Sequence, residues 1–251
     1  MDRQVYDRMR LIEADHWWFR GRRKIIGGLI GELPLPRPAR IAEVGSGTGG
    51  NLPMLAQFGE VTGMEPDADS RAYAQEKTGR PVKAGFLPAD LPFETESLDL
   101  AAAFDVIEHV DEDAASVAAL AGLLKPGGFL ATTVPAHPWM WSRHDEAHHH
   151  KRRYRMAQYR ALFDQAGLKI VKASYFNCVL FPPIAAVRLA KNLVKSQSAD
   201  DDAIPPGPVN SLFAAAFASE LGWLRHASLP FGVSIILIAQ KPERQPEETV
   251  Q

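Results

Sequence analysis

Two rhythms of apolar and polar residues alternate along the chain. Some apolar runs are short and nearly continuous: ARIAEV (39–44), EVTGMEP (60–66), PVKAG (81–85), SLDLAAAF (97–104), GFLATTVP (128–135), LKIVKASYF (168–176) and GVSIILIAQKP (232–242). Runs of this length, rich in β-branched and aromatic residues, predict strands buried on both faces. Between them lie segments with helical character: GNLPMLAQFG (50–59), DADSRAYAQEKTG (67–79), DEDAASVAALAGLLKPGG (111–128) and YRMAQYRALFDQAG (154–167). Asp67 or Asp69 is a candidate N-cap for the second of these, Gly79 is its stop signal, and Pro126-Gly127-Gly128 ends the third.

Strands alternating with helices predict an α/β fold with a doubly wound, seven-stranded, mostly parallel sheet. Five segments follow from this pattern. Residues 1–36 form an N-terminal helical cap ending at the stiff linker LPLPRP. Residues 37–177 form the Rossmann-like core, 178–231 an insertion or substrate lid, 232–243 the last strand, and 244–251 a disordered tail. Within the insertion, SQSADDDAIPPGPVN (196–210) is polar, acidic and proline-rich and predicts a loop.

Composition narrows the picture. The 251 residues are 46% hydrophobic and 23% charged, an ordinary globular balance, and the formal net charge of -2 provides no global field for nucleic acid. The single cysteine, Cys178, excludes an internal disulfide and fits a cytoplasmic setting. The N-terminus lacks the apolar run of a signal peptide, and no stretch is long and apolar enough to predict a membrane span. One helix, IAAVRLAKNLVK (184–195), is amphipathic, with Arg188, Lys191 and Lys195 along one face. Peripheral membrane contact through it is an expectation.

The stretch with the most chemical content is AEVGSGTGGN (42–51), directly after the first strand of the pattern. It contains G-x-G-x-x-G through Gly45, Gly47 and Gly50, and also acid-x-G-x-G-x-G through Glu43, Gly45, Gly47 and Gly49. The first spacing suits a dinucleotide. In the second, the carboxylate of Glu43 would repel a pyrophosphate but suits the sulfonium and ammonium of S-adenosylmethionine. Glu65, 20 residues after Gly45, is placed to hold ribose hydroxyls in either case.

The wider pattern resembles the class I S-adenosylmethionine-dependent methyltransferases of type 11, the branch that contains ubiquinone and menaquinone biosynthesis enzymes. The pieces that carry the likeness are EVGSGTGGN, VTGMEPD, LPFETESLDLAAAFDVIEHV and LLKPGGFLATTVP, in that order over roughly residues 40 to 135. The flanking DHWWFRGRR, PWMWSRHDEAHHHKRRY and SLPFGVSIILIAQKP are similar to a bacterial subgroup associated with polysaccharide and polyprenyl-lipid gene neighbourhoods. The resemblance implies S-adenosylmethionine as cofactor and a small or lipid-linked acceptor. It implies Glu43, Gly45, Gly47, Gly49, Asn51, Glu65 and Pro66 as cofactor contacts. Phe86 and Leu87 fall where the family meets adenine, and Phe104 and Asp105 face the methyl side.

Methyl transfer to an alcohol or phenol needs a base. His109, just past the fourth strand, and His144 oriented by Asp145 are the candidates. Trp17, Trp18, His150, Arg152, Arg153 and Tyr154 are expected to meet the substrate, the arginines through an anionic group. Asp105, Glu108 and His109 resemble the acid-x-x-Glu-His signature of metal-dependent relatives. The first position is Asp rather than the longer Glu, and no metal is expected. Methylation of oxygen on an anionic or hydrophobic acceptor is the leading reading. The rivals are a catalytically silent cofactor-binding assembly partner and an RNA methyltransferase.

Overall fold

The computed structural model describes residues 3–193 and 203–244. Two N-terminal helices, α1 (Arg3–Ile12) and α2 (Trp17–Ile30), lead to β1 (Ala39–Val44). Then follow α3 (Leu52–Leu55), β2 (Gly59–Met64), α4 (Ala68–Thr78), β3 (Val82–Lys83), β4 (Leu98–Phe104), α5 (Asp113–Leu123) and β5 (Leu124–Pro135). The chain continues through α6 (Arg143–Ala147), α7 (Met156–Gln165), β6 (Lys169–Phe176), α8 (Phe181–Leu193), α9 (Gly207–Leu224) and β7 (Ser234–Gln240).

The seven strands form one sheet in the order β3-β2-β1-β4-β5-β7-β6. All neighbours are parallel except β7, which runs antiparallel to both β5 and β6. The order reverses between β1 and β4, and the crevice beyond their carboxyl ends is where such sheets bind ligands.

The sheet is covered on both faces, and its period of two sorts side chains between them. Ile41, Leu100, Ala102, Phe104, Phe129 and Ala131 face a core built with α2, α3 and α9. Ala42, Val44, Ala101, Ala103 and Leu130 face a second core with α5 and α7. Glu43 and Thr133 fall in register with the first set, so they project towards the face covered by α2.

Three expectations change at this level. The segment 50–59 makes only the single turn of α3, because Pro53 sits in its first turn and the chain enters β2 at Gly59. The helix expected over 111–128 ends at Leu123, and Leu124 already pairs with Leu98 in the sheet. The insertion is helical, with α9 beginning inside the stretch read as a loop. Residues 196–202 of that stretch, Lys195 and the tail from 245 lie outside the described residues. The insertion does not stand apart, since α9 packs along α2 and closes the cap against the core.

Candidate functional site

The glycine loop leaves β1 at the switch point. Gly45, Gly47 and Gly49 have φ of +71°, +51° and +80°, a region that side-chain-bearing residues rarely adopt. A Cβ at Gly45 would lie 2.5 Å from Val106. Gly50, which only the dinucleotide spacing requires, is absent from the positive-φ glycines. The backbone thus follows the acid-x-G-x-G-x-G pattern. Glu43 is buried at the loop's entrance, where Asn51 donates to its Oε1 at 2.8 Å. Its Oε2 has no hydrogen-bond partner among the described residues. Burial pushes the carboxyl up to about 8, against the hydrogen bond from Asn51. A buried carboxylate with one oxygen free fits a cationic ligand.

Glu65 follows β2 with its carboxylate turned to the loop. Oε2 accepts from the Gly47 amide at 2.9 Å, and Oε1 accepts from the Asp67 amide at 3.1 Å and the Tyr6 hydroxyl at 3.0 Å. Burial raises this carboxyl while those donors oppose the rise. Tyr6 ties α1 to Glu65, and Arg3 and Arg10 tie α1 to Asp69. No pattern in the sequence pointed to Tyr6. Pro66 contributes a carbonyl that accepts from Arg71. Orphaned Glu43, three left-handed glycines and the inward carboxylate of Glu65 fit S-adenosylmethionine.

The Phe86–Leu87 stretch follows β3 as an irregular segment bridged to Asp90. The Phe86 amide donates to the Asp90 carbonyl at 2.8 Å, so that group is already engaged, and the Phe86 ring is exposed. Leu87 is buried and packs into the core below.

At the carboxyl ends of β4 and β5, Asp105 has a φ of +56° and pairs with Arg22 at 2.5 Å. Thr133 joins both: Arg22 donates to its hydroxyl at 3.0 Å, and the hydroxyl donates to Asp105 at 3.1 Å. The Arg22 guanidinium lies 4.8 Å from the Trp18 ring and 5.6 Å from that of Phe104. Trp18 and Phe104 therefore meet at the carboxyl end of β4, with Arg22 between them. Arg22 was missed. The signal was its position on the apolar stripe of α2, in step with Trp18, Ile25, Ile26 and Leu29.

Past β4, a 3₁₀ turn spans Ile107–His109. Glu108 is fully buried, and neither of its carboxylate oxygens has a hydrogen-bond partner among the described residues. Burial, then the nearby Asp105, raises its carboxyl well above the ordinary value. His109 is lowered to about 3 by burial and by His150 and His148, so its ring is neutral and weakly basic. Its ring lies 4.8 Å from that of His150.

His150 comes from the loop after α6, which is fastened to the 3₁₀ turn. The Lys151 amide donates to the Glu108 carbonyl at 2.7 Å, and His149 adopts a φ of +55°. One carboxylate oxygen of Glu108 and one ring nitrogen each of His109 and His150 lie within 4.8 Å of one another.

The expected His144–Asp145 dyad is replaced by another arrangement. Asp145 Oδ1 meets His150 Nδ1 at 2.8 Å and Arg153 Nε at 2.7 Å, while Oδ2 accepts from the Ser142 amide at 2.9 Å. Burial would raise Asp145, but His150 and Arg153 outweigh it and hold the carboxyl well below its usual range. His150 is thus the histidine that Asp145 holds, and the ring of His144 stacks near His148 at 4.2 Å.

The anionic-acceptor reading of the arginine pair also changes. Arg153 is buried and engages Asp145 and the Ala136 carbonyl. Arg152 pairs with Asp113 at 2.7 Å and donates to the Asp111 carbonyl. Tyr154 is buried and donates to Asp113 at 2.9 Å. All three fasten α5 and the histidine loop, because an unpaired buried guanidinium would be costly. Trp17 packs edge-on against Phe213 and Phe217 of α9, and so serves the core. In α8, Arg188 turns inward to the Met140 carbonyl while Val187 and Leu189 are exposed.

An aromatic rim borders the same edge. His137 stacks on Tyr175 at 5.0 Å, Trp139 meets Phe181 edge-on at 6.2 Å, and Phe181 contacts Phe231 at 5.6 Å. Trp139 is 50% and Phe231 42% exposed, so the rim offers apolar surface.

Comparison with known proteins agrees with this geometry. Residues 42–132 match the methyltransferase domain family. Over 112 residues the chain is 30% identical to trans-aconitate 2-methyltransferase of Rhodopseudomonas palustris (strain BisB18), which is 43% of either protein. The match therefore spans less than half the length of that curated relative. Among solved structures, a methyltransferase in complex with the Haloferax volcanii Trm112 methyltransferase activator superposes with a TM-score of 0.64, at 18% identity over 97% of both chains. Geranyl diphosphate methyltransferase in complex with S-adenosylmethionine gives 0.60, at 14% identity over 88% of this chain and 85% of the other. At such identities the likeness is one of fold. Taken with the seven-stranded sheet, it shows that the chain has the Rossmann-like methyltransferase fold, with the likeness to the methyltransferase domain family carried by residues 42–132.

Proposed function

We propose that this chain transfers a methyl group to a hydroxyl of an apolar small-molecule or lipid-linked acceptor. The observation that carries the reading is the shared edge. The glycine loop, the Glu108–His109–His150 cluster and the aromatic rim all lie at the carboxyl ends of the central strands.

S-adenosylmethionine, when bound, supplies a sulfonium-activated methyl group for in-line displacement. The protein's part is to bind, align and manage one proton. Glu43 and Glu65 fix the cofactor's two ends. Arg22 and Thr133 hold Asp105 so that its carboxylate stays beside the methyl edge. The Glu108–His109–His150 cluster takes up the acceptor hydroxyl. Trp139, Phe181 and Phe231 take the apolar body of the acceptor. Neither arginine of the 152–153 pair is free to serve an anionic group, so the hydrophobic acceptor is favoured over the anionic one.

The test uses the purified protein with S-adenosylmethionine and polyprenols, phenols, amines and carboxylic acids of matched size, following S-adenosylhomocysteine release. Turnover with hydroxyl compounds is expected, and E108Q should lower kcat at least 100-fold while keeping cofactor affinity. Methylation of an amine and of no hydroxyl compound would contradict the reading. Tight cofactor binding without turnover on any acceptor would favour the silent binding partner.

A further inference from the structure

The structure assigns a divalent metal site to Glu108, His109 and His150, built to prefer a zinc-type transition-metal ion over magnesium. No metal was expected from the sequence, and three observations change that. The donor atoms are already gathered, with one from each residue lying within 4.8 Å of the others. The Glu108 side chain is fully buried and neither carboxylate oxygen has a hydrogen-bond partner among the described residues, a costly state for a carboxylate that a cation resolves. Both histidines are held from behind. His150 uses Nδ1 on Asp145 at 2.8 Å, which leaves Nε2 to coordinate. His109 uses its ring on the His149 backbone, which leaves the other nitrogen.

That backing is what metal-ligating imidazoles need. A carboxylate or carbonyl behind the ring fixes the tautomer and raises ligand basicity. Here the backing is itself backed, since Arg153 and Ser142 immobilise Asp145. Four of the groups expected to meet substrate or drive catalysis, Asp145, His150, Arg153 and His109, are therefore accounted for by one structural purpose.

The donor set also selects the ion. Asp105 is the first residue of the acid-x-x-Glu-His pattern, but its carboxylate is committed to Arg22 and Thr133. Two imidazole nitrogens and one carboxylate remain. Imidazole suits zinc, iron and related ions, whereas magnesium asks for an octahedron of oxygens. Three protein ligands leave positions open for an exogenous oxygen. A dication there would lower the pKa of a bound hydroxyl. That use rests on the hydroxyl-methylation reading, but the binding itself does not.

The experiment titrates Zn²⁺, Mn²⁺ and Mg²⁺ separately into metal-stripped full-length protein by calorimetry, without cofactor. One equivalent of Zn²⁺ is expected to bind, at least 100-fold more tightly than Mg²⁺, with Mn²⁺ weaker than Zn²⁺. E108Q, close to isosteric and free of a buried acid, should fold and lose at least 100-fold in affinity. D145N should lose between about 10-fold and 100-fold, the range of supporting-shell changes. H226A, remote from the cluster, should bind as the parent does. Absence of stoichiometric binding, equal affinity for Mg²⁺, or unchanged affinity in E108Q would each overturn the assignment. A parallel titration with S-adenosylmethionine separates the two readings. Cofactor binding without metal binding removes the metal site and leaves the methyltransferase reading standing, whereas metal binding without cofactor binding does the reverse.

Discussion

At the scale of single residues, the two acids of the cofactor loop make the sharpest statements. Glu65→Ala removes the carboxylate that meets the Gly47 amide and the Tyr6 hydroxyl, and should weaken S-adenosylmethionine binding at least tenfold by calorimetry. Unchanged affinity would refute its role. Glu43 makes a pH statement. Its folded value, about 8, stands above its ordinary value of 4.5. The cofactor-free protein is therefore favoured below the unfolded value and loses stability as pH rises from there through the folded one. Glu43→Gln removes that loss. Its unfolding free energy relative to the parent's should be greater at pH 8.5 than at pH 5, by an amount on the order of a few kcal/mol, and its thermal midpoint should shift in the same direction. The same substitution should weaken the cationic cofactor. Thermal scans at the two pH values check the sign. Both acids were legible in the sequence because spacing from glycines fixes them. Arg22 and Tyr6 were not, since their meaning depends on what faces them across the fold.

At the scale of elements, the cap and the insertion behave as one layer because α2 and α9 approach closely. A Cβ at Gly21 would lie 2.5 Å from the Phe217 ring and 3.0 Å from that residue's own Cβ. Gly21→Ala should therefore cost about 1–3 kcal/mol through overpacking, more than the roughly 1 kcal/mol that alanine gains in helix propensity. Chemical denaturation measures the balance, and a stabilised variant would show that the two helices can part freely. The seven strands and the helices alternating with them followed from the apolar rhythm, because buried parallel strands leave a continuous apolar trace; their order in the sheet did not. The histidine loop shows where such reading stops. Its residue types marked it as chemical, but not which histidine Asp145 holds. That choice is made by α6, whose turn brings His150 rather than His144 onto the carboxylate. The arginine pair misled for the same reason. A guanidinium in sequence looks like an anion receptor until its partners, here Asp145 and Asp113, are seen.

At the scale of the whole molecule, the sheet's switch point organises everything that bears on function. Cofactor loop, carboxylate–histidine cluster and aromatic rim arrive from distant parts of the chain at one edge. No helix among the described residues is long and apolar enough to cross a membrane. On the proposed function, apolar acceptors meet the exposed rim, and Trp139→Ala should raise KM for a polyprenyl acceptor severalfold while leaving KM for S-adenosylmethionine unchanged. The central claim is that this edge moves a methyl group rather than merely holding the cofactor. Its most direct test is mass spectrometry of cell extract incubated with the protein and methyl-labelled S-adenosylmethionine. A new apolar product carrying one labelled methyl on oxygen is expected, absent with Glu65→Ala. Cofactor bound in full, with no labelled product formed, would contradict it.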